Sequence, residues 1–112
     1  MKKLKIPITH SYIKALVQWL SDTIRALSTG NSSYEIKTCC LILTKWLRSE
    51  RIIELCSYPF TESKSITIKN EVASSLAALM EWHAPGELSD YLGNYLQTIY
   101  ASIDKHFKQF GT

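Results

Sequence analysis

The sequence predicts an all-α fold, an irregular antiparallel bundle of four long helices plus one short helix, in a single domain spanning residues 1–112. Three observations carry that prediction. Apolar residues recur at intervals of three and four over most of the chain, the spacing of one helix face. Glycine and proline punctuate the periodic segments, Gly93 alone excepted. With 112 residues, 46% of them hydrophobic and 21% charged, one core can form, whereas two domains would each sit near the lower size limit.

The first helix is expected from about Thr9 to Ser28. Ile13, Leu16, Val17, Leu20, Ile24 and Leu27 form its stripe, Thr9 or Ser11 its cap, and Gly30-Asn31 its stop. A weaker stripe of Tyr12, Ala15, Trp19 and Ala26 beside it offers either a second internal neighbour or a contact with another molecule. The second helix starts at Ser32-Ser33, where Ser32 and Glu35 have capping-box spacing. Its inner stripe is Ile36, Cys39, Cys40, Leu43 and Leu47. Leu41 and Ile42 fall off that stripe, so its centre reads as apolar nearly all round, as suits the middle of a bundle. After Leu47 the phase slips, and a break over 48–50 with Ser49 as a fresh cap gives a short third helix that ends before Pro59. Residues 57–65 read as loop. Ile66-Thr67-Ile68 admits a brief extended piece, but a helix start is preferred, with Ile68, Val72, Leu76, Leu79 and His83 on the inner face of a fourth helix. Alanines 73, 77 and 78 would let another helix approach closely. Ala84-Pro85-Gly86 makes the turn into the last helix, about Glu87 to Phe110, lined by Leu88, Leu92, Tyr95, Leu96, Ile99, Ile103 and Phe107.

The basic start, Met1 to Lys5, meets Pro7, Thr9, His10 and Ser11 at once. It therefore lacks the apolar stretch of about 7–15 residues that a signal peptide needs. No uninterrupted apolar run approaches the length of a spanning helix, so a cytoplasmic location without membrane contact is expected. Cys39, Cys40 and Cys56 make an odd count at spacings unsuited to a disulfide framework, and read as three small buried apolar residues in a reducing compartment.

Catalysis finds little support. His10, His83 and His106 lie on separate elements, none with a Cys or His four residues away, so no metal site is expected. The serines occupy no nucleophile elbow, and glycines 30, 86, 93 and 111 make no phosphate-cradling cluster. No enzyme activity, cofactor or small-molecule substrate is expected.

Charge, in contrast, is sorted along the chain. Residues 1–69 carry eleven Lys or Arg against five Asp or Glu. Residues 70–104 have no Lys or Arg at all, only Glu71, Glu81, Glu87, Asp90 and Asp104. On the last helix Asp90, Asn94, Gln97 and Asp104 fall roughly opposite the apolar stripe, with Tyr91 between the two faces. Acid, amide and aromatic side chains together suit recognition of a basic protein surface. The candidate partner-binding residues are Glu81, Trp82, Glu87, Asp90, Tyr91 and Asn94, with Trp82 and Tyr91 as aromatic anchors.

In size, helical make-up, missing catalytic motifs and acidic face, the chain resembles bacterial immunity proteins, which neutralise a toxin domain delivered by neighbouring cells, as in colicin and contact-dependent inhibition systems. The resemblance extends over the whole chain and rests on no residue motif; the net charge of +3 departs from the acidic character common in that class. It implies a small binding protein that covers the active site of a cationic toxin nuclease. The alternative is a nucleic-acid-binding or regulatory domain that uses the basic Lys37–Arg51 side, which holds Lys37, Lys45, Arg48 and Arg51. Against it, Glu50 and Glu54 flank Arg51, and the pI of 8.8 is below the strongly basic range.

Overall fold

The computed structural model describes residues 4–28, 33–82 and 90–110. In chain order the elements are β1 (Leu4–Ile8), α1 (His10–Ser28), α2 (Tyr34–Leu47), α3 (Glu50–Ser57), β2 (Lys64–Ile68), α4 (Asn70–Trp82) and α5 (Asp90–Phe110). The chain is mostly helical, as the periodicity predicts. All-α is too strong, however, because β1 and β2 pair antiparallel with Leu4 opposite Ile68 and Ile8 opposite Lys64.

The sheet corrects one expectation and adds an element. Ile66-Thr67-Ile68 is extended and does not start α4, and the segment before Thr9, to which the periodicity assigns no element, is a strand. The cause is alternation. Leu4, Ile6 and Ile8 are buried while Lys5 and Pro7 are exposed, and Ile66 and Ile68 are buried around exposed Thr67. Ile6, Ile8, Ile66 and Ile68 are also β-branched, which stiffens them for a half-buried pleat. Each strand shows one face to the helices, so pairing removes five apolar side chains from water at once.

The helix boundaries follow local chemistry. The Thr9 hydroxyl accepts from the Tyr12 backbone N–H at 3.2 Å and caps α1. Ser33 caps α2, its hydroxyl accepting from the Ile36 N–H at 3.3 Å. At the break after Leu47, the Arg48 N–H is shared between the Thr44 and Lys45 carbonyls and the Ser49 N–H turns back to Trp46. That tightened turn ends α2 and resets the phase, so Ile52 and Leu55 of α3 reach the core and Ile53 does not. Ser49 stands at the N-cap of α3 without a side-chain capping bond. Gly30-Asn31, Ser32, His83, the turn expected at Ala84-Pro85-Gly86 and residues 87–89 lie outside the described residues.

One core joins all seven elements, and α1 supplies much of its centre through Ile13, Leu16 and Leu20. The second stripe of α1 turns inward as well. Trp19 is buried, and Tyr12 stacks on Tyr95 of α5 with ring centroids 4.0 Å apart and planes 3° from parallel. These two aromatics are internal packing, not a free contact face. Helix α4 packs against α2 and α5, and its small residues Ala73 and Ser75 are buried. The Ser75 hydroxyl is satisfied by the Glu71 carbonyl at 2.8 Å. Helix α2 is not a central helix, because Leu41 is 57% exposed.

Two histidines tie elements together. A ring nitrogen of His10 at the start of α1 lies 3.1 Å from the Leu55 carbonyl of α3, with Phe60 edge-on to the ring. His106 is buried in α5 with Nε2 3.1 Å from Asn70 Oδ1 at the start of α4. Of the three cysteines, all free, only Cys40 is buried; Cys39 and Cys56 are half-buried. No helix among the described residues is long and apolar enough to cross a membrane.

Candidate partner-binding face

The end of α4 and the middle of α5 build the surface that the charge pattern singles out. Helix periodicity turns Met80 into the core and leaves Glu81 and Trp82 outside. On α5, Leu96 is buried while Gln97 and Tyr100 flank it. The Tyr100 hydroxyl donates to Glu81 Oε1 at 2.6 Å, a short charge-assisted bond that pins the carboxylate across the two helices. That hydrogen bond, helped by desolvation and by the Glu81 and Asp104 charges, raises the Tyr100 phenol above its ordinary value. Beneath them Met80, Leu96 and Gln97 complete a shallow cavity of about 280 Å³. Trp82, at the last position of α4, is 40% exposed.

The six candidate residues are only partly brought together. Glu81 and Trp82 are adjacent and exposed. Asn94 is exposed too, but it lines a different cavity of about 200 Å³, beside Tyr12, Tyr95, Thr98 and β1. Asp90 and Tyr91 open α5, and their side chains lie outside the described residues, as does Glu87 altogether. The acids of the 70–104 stretch are dispersed as well. Glu71 sits at the opposite end of α4 from Glu81, and Asp104 is paired with Lys108 at 2.9 Å. Tyr100 is the functional candidate that sequence reasoning passes over. Its one visible signal is helical spacing from Gln97 and Asp104, which places all three on one flank of α5.

The basic side divides in two. Exposed Tyr34, Lys37, Leu41 and Lys45 share the outer stripe of α2, which Arg48 extends from the C-cap, with Tyr34 83% exposed. Lys45 also lines a groove of about 680 Å³, together with Trp46, Arg51 and Lys69, along β2. Arg51 is only loosely held by Glu54 at 4.0 Å. Among the described residues no three His, Cys, Asp or Glu side chains gather as a metal site. No family model, no curated protein and no solved structure matches the chain.

Proposed function

We propose that this protein works by stoichiometric contact, neutralising a cationic partner protein by covering its active site, in the manner of an immunity protein on a toxin nuclease. The observation that carries the reading is the pairing of an exposed indole, Trp82, with a neighbouring carboxylate, Glu81, that Tyr100 already holds in place. A fixed carboxylate loses little side-chain entropy when it meets a lysine or arginine, and tryptophan is among the residues enriched at the energetic centres of such contacts. The absence of any Lys or Arg between residues 70 and 104 leaves no cation in the sequence there to repel a basic surface.

The test is capture of partners from the native host's lysate by the tagged chain, at low and high salt. A single basic protein released as salt rises supports the reading. Reversing Glu81, Glu87 and Asp90 to lysine should then weaken that binding and flatten its salt dependence. Unchanged affinity in that variant would place the contact elsewhere.

One observation favours a second reading. The outer stripe of α2 sets three cations among exposed Tyr34 and Leu41, a pattern that can follow a phosphate backbone while a base stacks on the ring. Nucleic acid that co-purifies at low salt and is lost from Lys37→Ala and Arg48→Ala variants would support it.

A further inference from the structure

The two edges of the β1–β2 sheet are treated differently. Pro7 lies opposite Ser65 and has no N–H, so a continuous ladder requires the hydrogen-bonded pairs to be Leu4–Ile68, Ile6–Ile66 and Ile8–Lys64. Lys5, Pro7, Ser65 and Thr67 then turn their peptide groups away from the partner strand. The β1 edge is the less exposed of the two: Pro7 offers no donor, its carbonyl accepts from the Tyr95 hydroxyl at 3.3 Å, and only Lys5 presents an outward N–H and carbonyl. On the β2 edge, Ser65 and Thr67 present two donors and two acceptors. Among the described residues neither makes a hydrogen bond outside the ladder. Natural sheets manage such an edge by covering it or by keeping it short and charged. Strand β2, five residues long with Lys64 in it and Lys69 after it, is of the second kind, guarded against a like-charged strand but not against an acidic one.

The open edge faces the groove of about 680 Å³ into which Lys45, Arg51 and Lys69 also project, with Trp46 on its wall and Glu71 as its single acid. We propose that this edge and groove dock an acidic, extended peptide segment of a partner protein, which adds a third strand to the sheet beside β2. Backbone bonds to Ser65 and Thr67 give the segment its register, alternate side chains lie toward Trp46, and acidic residues meet the three cations. A second copy of this chain fits poorly, because Lys64 opens β2 and Lys69 follows it, and an antiparallel β2–β2 pairing sets like charges near one another. Nucleic acid fits poorly too. An edge that alternates donors with acceptors matches a peptide backbone, whereas phosphates need donors alone.

The test uses the whole chain, ¹⁵N-labelled, and a seven-residue probe alternating valine and glutamate, followed by amide NMR and by anisotropy of a fluorescein-labelled copy. The expected result is a shift, and protection from exchange, of the Ser65 and Thr67 amides. Binding should weaken about tenfold in Lys45→Glu or Lys69→Glu. It should vanish for a probe N-methylated on the edge-facing residues, which keeps its charge and loses its donors. Thr67→Pro removes one outward donor without touching a ladder bond, and should weaken binding while thermal unfolding stays cooperative. Equal binding of the N-methylated probe or of its lysine counterpart, displacement by a single-stranded oligonucleotide, dimerisation through β2 in light scattering, or no shift with the probe at about 1 mM would each overturn the proposal.

Discussion

The stack of Tyr12 on Tyr95 joins α1 to α5 near the closed edge of the sheet, and its worth can be measured. Tyr95 is 5% exposed, its ring lies 4.0 Å from that of Tyr12, and its hydroxyl donates to the Pro7 carbonyl. These roles separate by substitution. Tyr95→Phe keeps the ring and drops the hydroxyl. Pro7 is exposed, so water can replace the lost donor, and the cost should be about 0.5–1 kcal/mol. Tyr95→Leu keeps an apolar side chain but loses ring volume and the stack, and should cost about 2–3 kcal/mol. A cycle of Tyr12→Leu, Tyr95→Leu and the double variant isolates the ring pair, for which a coupling of about 0.5–1.5 kcal/mol is expected. Urea unfolding followed by far-ultraviolet circular dichroism gives each value, and each kcal/mol should move the thermal midpoint by about 4 °C at this chain length. A coupling near zero, or Tyr95→Phe as damaging as Tyr95→Leu, would refute the assignment of stability to the stacked rings.

Other consequences can be checked in the same way. Ser33→Ala should destabilise by about 1 kcal/mol through loss of the α2 cap, whereas Ser49→Ala should cost little, because Ser49 makes no side-chain capping bond. Equal effects in urea melts would contradict the two cap geometries. Burial pushes the Cys40 thiol up, against a hydrogen bond from Ser28 and with a small further push from Cys39; burial also raises Cys56, partly offset by Lys14. Iodoacetamide should therefore alkylate both more slowly in the native protein than in urea at pH 7.5, as mass spectrometry of quenched samples would show. A thiol with a raised folded value keeps its proton longer than in the unfolded chain. Stability should hold below the ordinary thiol value of about 8.5 and fall as pH climbs past it, which unfolding midpoints across an alkaline series would reveal. Trp82→Ala should leave stability nearly unchanged, within about 0.5 kcal/mol by urea titration, since the indole is largely outside the core.

The helices are legible in the sequence because each repeats its apolar signal over several turns. The break at 48–50 shows as a phase slip between Leu47 and Ile52, and it falls where expected. The strands are less legible because each offers only two or three alternating apolar residues. Leu4, Ile6 and Ile8 sit inside a segment whose lysines and proline draw attention to other readings, and what stabilises that alternation is a partner far along the chain. Leu41 misleads for the opposite reason, since an apolar residue in an apolar neighbourhood reads as core, yet it faces solvent. The candidate face divides along the same line. Charge sorting locates Glu81 and Trp82, whereas the Tyr100 bond that holds Glu81 depends on how α4 meets α5, which no local spacing encodes.

The pairing of Leu4 with Ile68 also sets an order of events during synthesis. Roughly 60 residues separate β1 from its partner, and at about 5–20 residues per second the wait lasts several seconds. Throughout that interval the apolar face of β1 has no strand beside it, while α1, α2 and α3 emerge and begin to collapse. Arrival of β2 closes a large loop around those three helices and fastens β1 to the rest of the fold. A ribosome paused before β2 has cleared its exit tunnel would hold the nascent protein in that unfastened form, so translation speed up to that point bears directly on folding yield.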